Sequence, residues 1–208
     1  KRFHLNKIGY LVLIIFIGCS TSPNLSVDVY NTPELKNKLN CRGVGYILSK
    51  GTLEGRLNFT FTASRDTAYI QFKDIIGRKA LFLVVANDQI DAWDMQNNIR
   101  YDKQSIIIAL PIFELIKPSE LRTFLWGEIP NDFSNLDLIS SRSEKLNGKI
   151  QFKSKQTELG PLVDFISFKM LEEKHEINFE IINREFDLQY PHLIKKIPQS
   201  IKFLKDRS

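Results

Sequence analysis

Cysteine, histidine and methionine are scarce in this sequence, with 2, 3 and 2 copies among 208 residues. Two cysteines allow one disulfide at most, so the chain is no disulfide-stapled scaffold, and no C-x-x-C pair is present for zinc or thiol exchange. His4, His175 and His192 lie too far apart for a paired metal-ligand motif, and His175 and His192 stand beside ordinary surface residue types. No G-x-S-x-G elbow and no glycine-rich phosphate loop occurs. The acidic residues are scattered singly or fall together as Glu172-Glu173, which reads as a solvated stretch rather than a metal cage. The sequence therefore predicts a protein that is not an enzyme, with no catalytic residue, no metal and no cofactor.

Long apolar runs are missing too, apart from Ile8-Gly-Tyr-Leu-Val-Leu-Ile-Ile-Phe-Ile-Gly18. That run is too short for a comfortable membrane span, which takes about 20 residues. Lys1, Arg2 and Lys7 precede it, Cys19 follows it directly, and a polar Ser20-Thr-Ser-Pro-Asn24 stretch comes next. Cations, a short apolar segment and a small residue before a cysteine form the pattern of a lipoprotein export signal. The expectation is a leader over 1–18, lipidation at Cys19, a flexible tether over 19–32, and a single domain over 33–208. An uncleaved anchor helix with Cys19 buried in it is the alternative.

Loss of the leader would leave 26 basic residues against 24 acidic ones, a balance of about +2. No Lys/Arg run marks a nucleic-acid surface, so nucleic acid is excluded as a partner. With Cys19 carrying lipid, Cys41 has no disulfide partner and reads as a small, partly buried apolar side chain.

What is present is period-two alternation. Leu57-Asn-Phe-Thr-Phe61 puts Leu57, Phe59 and Phe61 on one face, and Ile70-Gln-Phe72, Ile150-Gln-Phe152 and Ile177-Asn-Phe-Glu-Ile181 repeat the pattern. Such alternation predicts a sheet with one apolar face and one wet face. Leu81-Phe-Leu-Val-Val85 is continuous and predicts a central strand covered on both sides. Turn residues recur at short intervals, at Ser49-Lys-Gly51, Ser64-Arg-Asp66, Gly77-Arg78, Asn87-Asp88, Asn97-Asn98 and Asn147-Gly148, as an antiparallel meander requires. Asn147-Gly148 is the strongest hairpin candidate. Pro33-Glu-Leu-Lys-Asn-Lys-Leu39 reads as a short helix capped by Thr32. Between 111 and 130 the period becomes helical, with Leu121, Phe124 and Leu125 forming a stripe that ends at Gly127. This insert either plugs or lids a curved sheet, or packs on a flat one as ordinary core.

The order of these elements is similar to a known family. Phe72-Lys-Asp-Ile-Ile-Gly-Arg-Lys-Ala-Leu-Phe-Leu83, then Asn98-Ile-Arg-Tyr101, then the block Leu110, Pro111, Leu121, Phe124, Leu125, Gly127 and Pro130, resembles the outer-membrane lipoprotein receptor family called LolB. The likeness spans roughly residues 40–130, and Ile197-Pro-Gln-Ser-Ile-Lys-Phe203 resembles the family's penultimate strand. It implies a mainly β fold with a small helical insert, in which a curved antiparallel sheet forms an incomplete, half-open barrel with a helical plug or lid.

The resemblance also implies a function. Family members take lipoproteins from a periplasmic carrier and release them into the outer membrane, facing the periplasm. The implied ligands are acyl chains of lipoproteins or lipids, held in an apolar cavity lined by Leu57, Phe59, Phe61, Ile70, Phe72, Leu81, Leu83, Phe124 and Leu125. The family carries a protruding apolar residue that touches the membrane, and its position here falls on Ile76, with Ile75 second; rim core is the alternative for both. A structural or surface lipoprotein with a filled β-domain that binds protein partners is the competing function.

Overall fold

The computed structural model describes residues 33–51, 54–101, 105–107, 113, 116–130, 148–170, 175–187 and 196–203. The leader, Cys19 and the tether lie outside these residues, as do Thr32, Leu110, Pro111, Asn147, Glu172, Glu173 and His192.

The fold is mainly β. Among the described residues ten strands form one sheet: β1 (Cys41–Lys50), β2 (Gly55–Ala63), β3 (Thr67–Lys73), β4 (Lys79–Ala86), β5 (Gln89–Asp94), β6 (Ile99–Tyr101), β7 (Gly148–Thr157), β8 (Gly160–Met170), β9 (Glu176–Phe186) and β10 (Lys202–Phe203). Their order is β10-β6-β5-β4-β3-β2-β1-β9-β8-β7, so the sheet is not closed. Every neighbouring pair is antiparallel except β10 on β6, which is parallel. β1 to β6 form the expected meander. A second meander, β7 to β9, attaches through the pairing of β9 with β1.

Within β1 to β6, the turns after β2, β3, β4 and β5 lie where the sequence places them. Asn87 and Asn98 take positive φ (52° and 55°) at the β4–β5 and β5–β6 turns, a region that asparagine tolerates. Gly148 opens β7 opposite Met170, whereas the β7–β8 hairpin turns at Glu158 and Leu159, ahead of Gly160 at φ 97°. Pro33–Asn37 is one tight 3-10 turn, shorter than the predicted helix, and it buries Leu35. The Ile197–Phe203 segment supplies only the two-residue β10.

The apolar side chains sort by strand alternation. One cluster holds Phe59, Phe61, Ile70, Phe72, Leu81, Leu83 and Val85 with Ile166, Phe179 and Ile181. Phe82 points the other way, into a smaller cluster with Ile197 and Ile201, flanked by Tyr69, Val84, Trp93 and Met95. β4 is thus covered on both faces, as its unbroken apolar run predicts.

One helix is placed fully, α1 (Pro118–Trp126). Pro118 sits where a missing N–H does no harm, and the Lys117 N–H donates to the Glu120 carboxylate (2.6 Å). Gly127 stops the helix in the left-handed region (φ 89°), donating its N–H to Phe124 O (2.8 Å) while Glu128 N–H reaches Thr123 O (3.1 Å). Leu121, Phe124, Leu125 and Trp126 are buried in the larger cluster. The helix packs on β2, β4 and β8. Arg122 donates to Asn87 O (2.7 Å) and Trp126 Nε1 to Ser64 O (3.2 Å), which places α1 at the end of the sheet holding the β2–β3 and β4–β5 turns. From β9, Arg184 holds the helix C-terminus, giving Nε to Leu125 O (2.8 Å) and Nη2 to Phe124 O (3.1 Å) and to Val163 O. A cation there meets the negative end of the helix dipole. Burial pulls the guanidinium down to about 10, which still leaves it charged at neutral pH.

Candidate functional site

At the opposite end of the sheet the β3–β4 turn, residues 74–78, is built around Asp74. Its Oδ1 accepts from the Ile76 and Arg78 N–H groups (3.1 and 2.8 Å) and its Oδ2 from Arg78 Nε (2.7 Å). The backbone closes the turn through Asp74 N–H to Arg78 O and Gly77 N–H to Asp74 O, both 3.0 Å. Gly77 takes φ 83°, where a side chain would strain the backbone. Desolvation opposes ionisation of Asp74, yet the hydrogen bonds from Arg78 and Ile76 outweigh it and hold the carboxyl below the usual range.

None of these contacts uses the isoleucine side chains. Ile75 is 77% exposed and Ile76 70%. Neither is rim core. The turn is held by polar contacts while it displays two adjacent apolar side chains to solvent.

The β5–β6 turn at the same end uses the same device. Asp94 accepts from Gln96 N–H and Asn97 N–H (2.9 Å each), Asn97 Nδ2 (2.8 Å) and Tyr101 Oη (2.8 Å). Burial opposes ionisation, and the bonds from Asn97, Tyr101 and Gln96 win, so the carboxyl sits below its ordinary value. Burial, then Asp94, push Tyr101 up to about 12. A carboxyl depressed by folding adds stability above its unfolded value, near 4, and that stability is lost as pH falls through the lower, folded value. Asp94→Asn is therefore expected to lower the urea midpoint at pH 7, with the gap to the parent closing near pH 3. A gap that is the same at both values would remove Asp94 from the acid response.

The nine residues expected to line a cavity come together. Leu57 is half-buried and the other eight are buried, all in or against the larger cluster. The Phe59 ring lies 4.6 Å from that of Phe179 and 5.7 Å from that of Phe72, and Phe124 meets Phe179 edge-on at 5.4 Å. They pack against one another.

A cleft of about 530 Å³ opens elsewhere, beside the start of α1. Val84, Ala86, Ile90, Ile106, Ile107, Phe113 and Pro118 form its apolar walls, with Asp88, Gln89 and Asp91 at its polar side. None of the nine predicted residues is among them. Its size falls within the range of small-ligand pockets, roughly 300–1,000 Å³. Sequence reading missed it because its walls come from β4, β5 and the residues before α1, which share no local motif.

Two further residues need placing. Cys41 is fully buried, its Sγ 3.6 Å from Leu125 O. Burial pushes its thiol up to about 12 against the pull of Arg184 and Arg65, so it is an unreactive core side chain. His175, expected on the surface, is instead buried at the start of β9, its Nε2 3.0 Å from Ser49 Oγ. The pair joins β9 to the end of β1, whose partnership local sequence does not show.

Among the described residues no group of three or more His, Cys, Asp or Glu is placed to hold a metal. Nor is any helix among them long and apolar enough to cross a membrane. No family model matches the chain, and no curated protein matches it. Among solved structures, it is similar to an uncharacterized conserved protein from Thermus thermophilus, with a TM-score of 0.40 and 7% identity over 85% of this chain and 96% of that one.

Proposed function

We propose that this chain is a membrane-anchored, non-enzymatic acceptor that binds acyl chains of lipoproteins or lipids and delivers them to the outer membrane from the periplasmic side. In this reading Cys19 carries the anchor, and a periplasmic carrier protein is the donor. One observation carries it: Ile75 and Ile76 stand 77% and 70% exposed on a turn closed by polar contacts. Leaving a side chain of that size in water rather than burying it costs about 1.5–3 kcal/mol. Two side by side, on a turn that does not need them, fit contact with a bilayer.

The shape supports the same reading. β4 and β8 stand five places apart in the sheet, about 24 Å if it were flat at ~4.8 Å per strand. α1 touches both, although nine residues of helix measure only about 13.5 Å. A sheet curled around α1, as a half-open barrel with the helix as its plug, accounts for these contacts. The cleft beside Pro118 then gives an acyl chain a place next to the plug.

The second reading, a filled β-domain that binds protein partners, is favoured by the close packing of Phe59, Phe72, Phe124 and Phe179. A fluorescent acyl probe separates the two. The acceptor takes the probe up saturably; the filled domain does not. In the acceptor, Ile76→Glu is expected to leave the melting temperature nearly unchanged, because the turn is held by Asp74, while vesicle binding weakens and probe release to vesicles stalls. Strong destabilisation of Ile76→Glu would end the membrane-contact role.

A further inference from the structure

The end of the sheet that carries Ile75 and Ile76 also carries an uneven distribution of charge, which strand register makes visible. Lys149 of β7 lies opposite Lys169 of β8. Lys169 faces Glu176 of β9, and Glu176 faces Lys50 of β1. Across this row of four strand ends, one carboxylate stands among three lysines. Beside the isoleucine turn, Lys73 of β3 lies opposite Lys79 of β4. Lys50, Lys79, Lys149 and Lys169 are exposed and Lys73 is half-buried.

Like charges placed directly opposite each other on neighbouring strands are destabilising. Two such lysine pairs are gathered at one end of this sheet. Among the described residues this end has one ion pair, Arg78 with Asp74 inside the turn (2.7 Å). The other end has Arg42 with Glu185 (2.5 Å), Lys38 with Asp187 (3.1 Å) and Arg65 with Glu128 (3.2 Å), and no described lysine there is set opposite another in the strand pairings. Opposed cations flanking an exposed apolar turn suit a surface that is itself anionic and has an apolar interior behind its charges.

We propose that this end docks on an anionic phospholipid membrane, with Ile75 and Ile76 entering the bilayer surface while Lys50, Lys73, Lys79, Lys149 and Lys169 meet headgroup phosphates. The inference rests on the membrane-contact reading of the turn and adds the kind of lipid it meets. A lysine held near an anionic surface strengthens binding roughly fivefold, and the effect fades beyond a Debye length.

The test uses the chain from residue 19 onward, free of the apolar leader, with Cys19→Ser as parent, sedimented with vesicles of phosphatidylcholine alone or mixed with phosphatidylglycerol. The parent is expected to prefer the anionic vesicles, and Lys79→Gln with Lys149→Gln to lose about 25-fold of binding to them, at two lysines of roughly fivefold each. Lys36→Gln with Lys155→Gln, the same charge change at the opposite end, is expected to change binding little. Added salt should erase the preference. Equal losses from both pairs would show that net charge alone matters and would overturn the proposal, as would equal binding to both vesicle types. Equal competition by heparin for binding that vesicles do not enhance would assign the lysines to soluble polyanions and also overturn it. The isoleucine reading is judged separately, on phosphatidylcholine vesicles. If Ile76→Glu lowers binding there while no anionic preference exists, the turn stands and the lipid inference falls. If the anionic preference exists and Ile76→Glu changes nothing, the lysine docking stands and the turn reading falls.

Discussion

Gly45→Val is expected to remove most of the folding stability of this domain, by about 4 kcal/mol or more, which is at the far end of single-substitution effects. Gly45 lies opposite Phe59 on β2 and Ile181 on β9, in the middle of the sheet. A Cβ placed on it would collide with the Glu180 carbonyl oxygen and with the Phe59 ring. The carbonyl belongs to the backbone of a paired strand and has nowhere to go. The ring is wedged between Phe179 and Phe72, at 4.6 and 5.7 Å. Gly43 repeats the arrangement with Asn183 O and Phe61. Glycine in a strand interior normally weakens it; here it lets a large aromatic ring lie flat across the backbone. Urea unfolding measures the effect, and Gly45→Ala, which already carries the offending Cβ, is expected to lose stability too. An alanine variant with the parent's midpoint would show that the ring and strand relax freely, contrary to this account.

Phe124→Ala is expected to cost about 3–5 kcal/mol, the usual range for removing a buried phenyl ring. Phe124 is fully buried and meets Phe179 edge-on, and the carbonyls of Phe124 and Leu125 are held by Arg184. The surrounding backbone is thus pinned at the helix C-terminus and at β9, so the void cannot collapse cheaply. The same variant locates the acyl site. A large loss with altered probe uptake places the acyl chain beneath α1, and a large loss with unchanged uptake places it in the cleft lined by Val84 and Ile90. A loss below about 1 kcal/mol would mean a loosely held lid rather than packed core.

Much of the local structure was legible in the residues. Alternation in Leu57–Phe61 and Ile177–Ile181 identified strands and their buried faces, since neighbouring side chains on a strand must point to opposite sides. Gly127 marked the end of α1 because glycine tolerates the left-handed region that stops a helix. Asn87, Asn98 and Gly77 marked turns for the same backbone reason. The apolar set from Leu57 to Leu125, expected to line a cavity, was recognisable as one apolar face, and Ile75-Ile76 as out of place in a turn.

Other features required the assembled sheet. That β1 is an interior strand follows from its pairing with β9, where Cys41 is brought opposite Phe186, far away in the sequence. No local pattern records that pairing. Closing a long loop costs only slightly more entropy than closing a shorter one, so fit between distant strands can decide the partner: here, glycines 43 and 45 leave room for the Asn183 and Glu180 carbonyls of β9. The burial of His175, the cleft beside Pro118 and the opposition of Lys149 to Lys169 and of Lys73 to Lys79 all depend on register between strands. Residue types and spacing determined what each segment of this protein could become. Which faces met, and which charges were left side by side, was decided only when the strands paired, because burial and Coulomb repulsion act between neighbours in space.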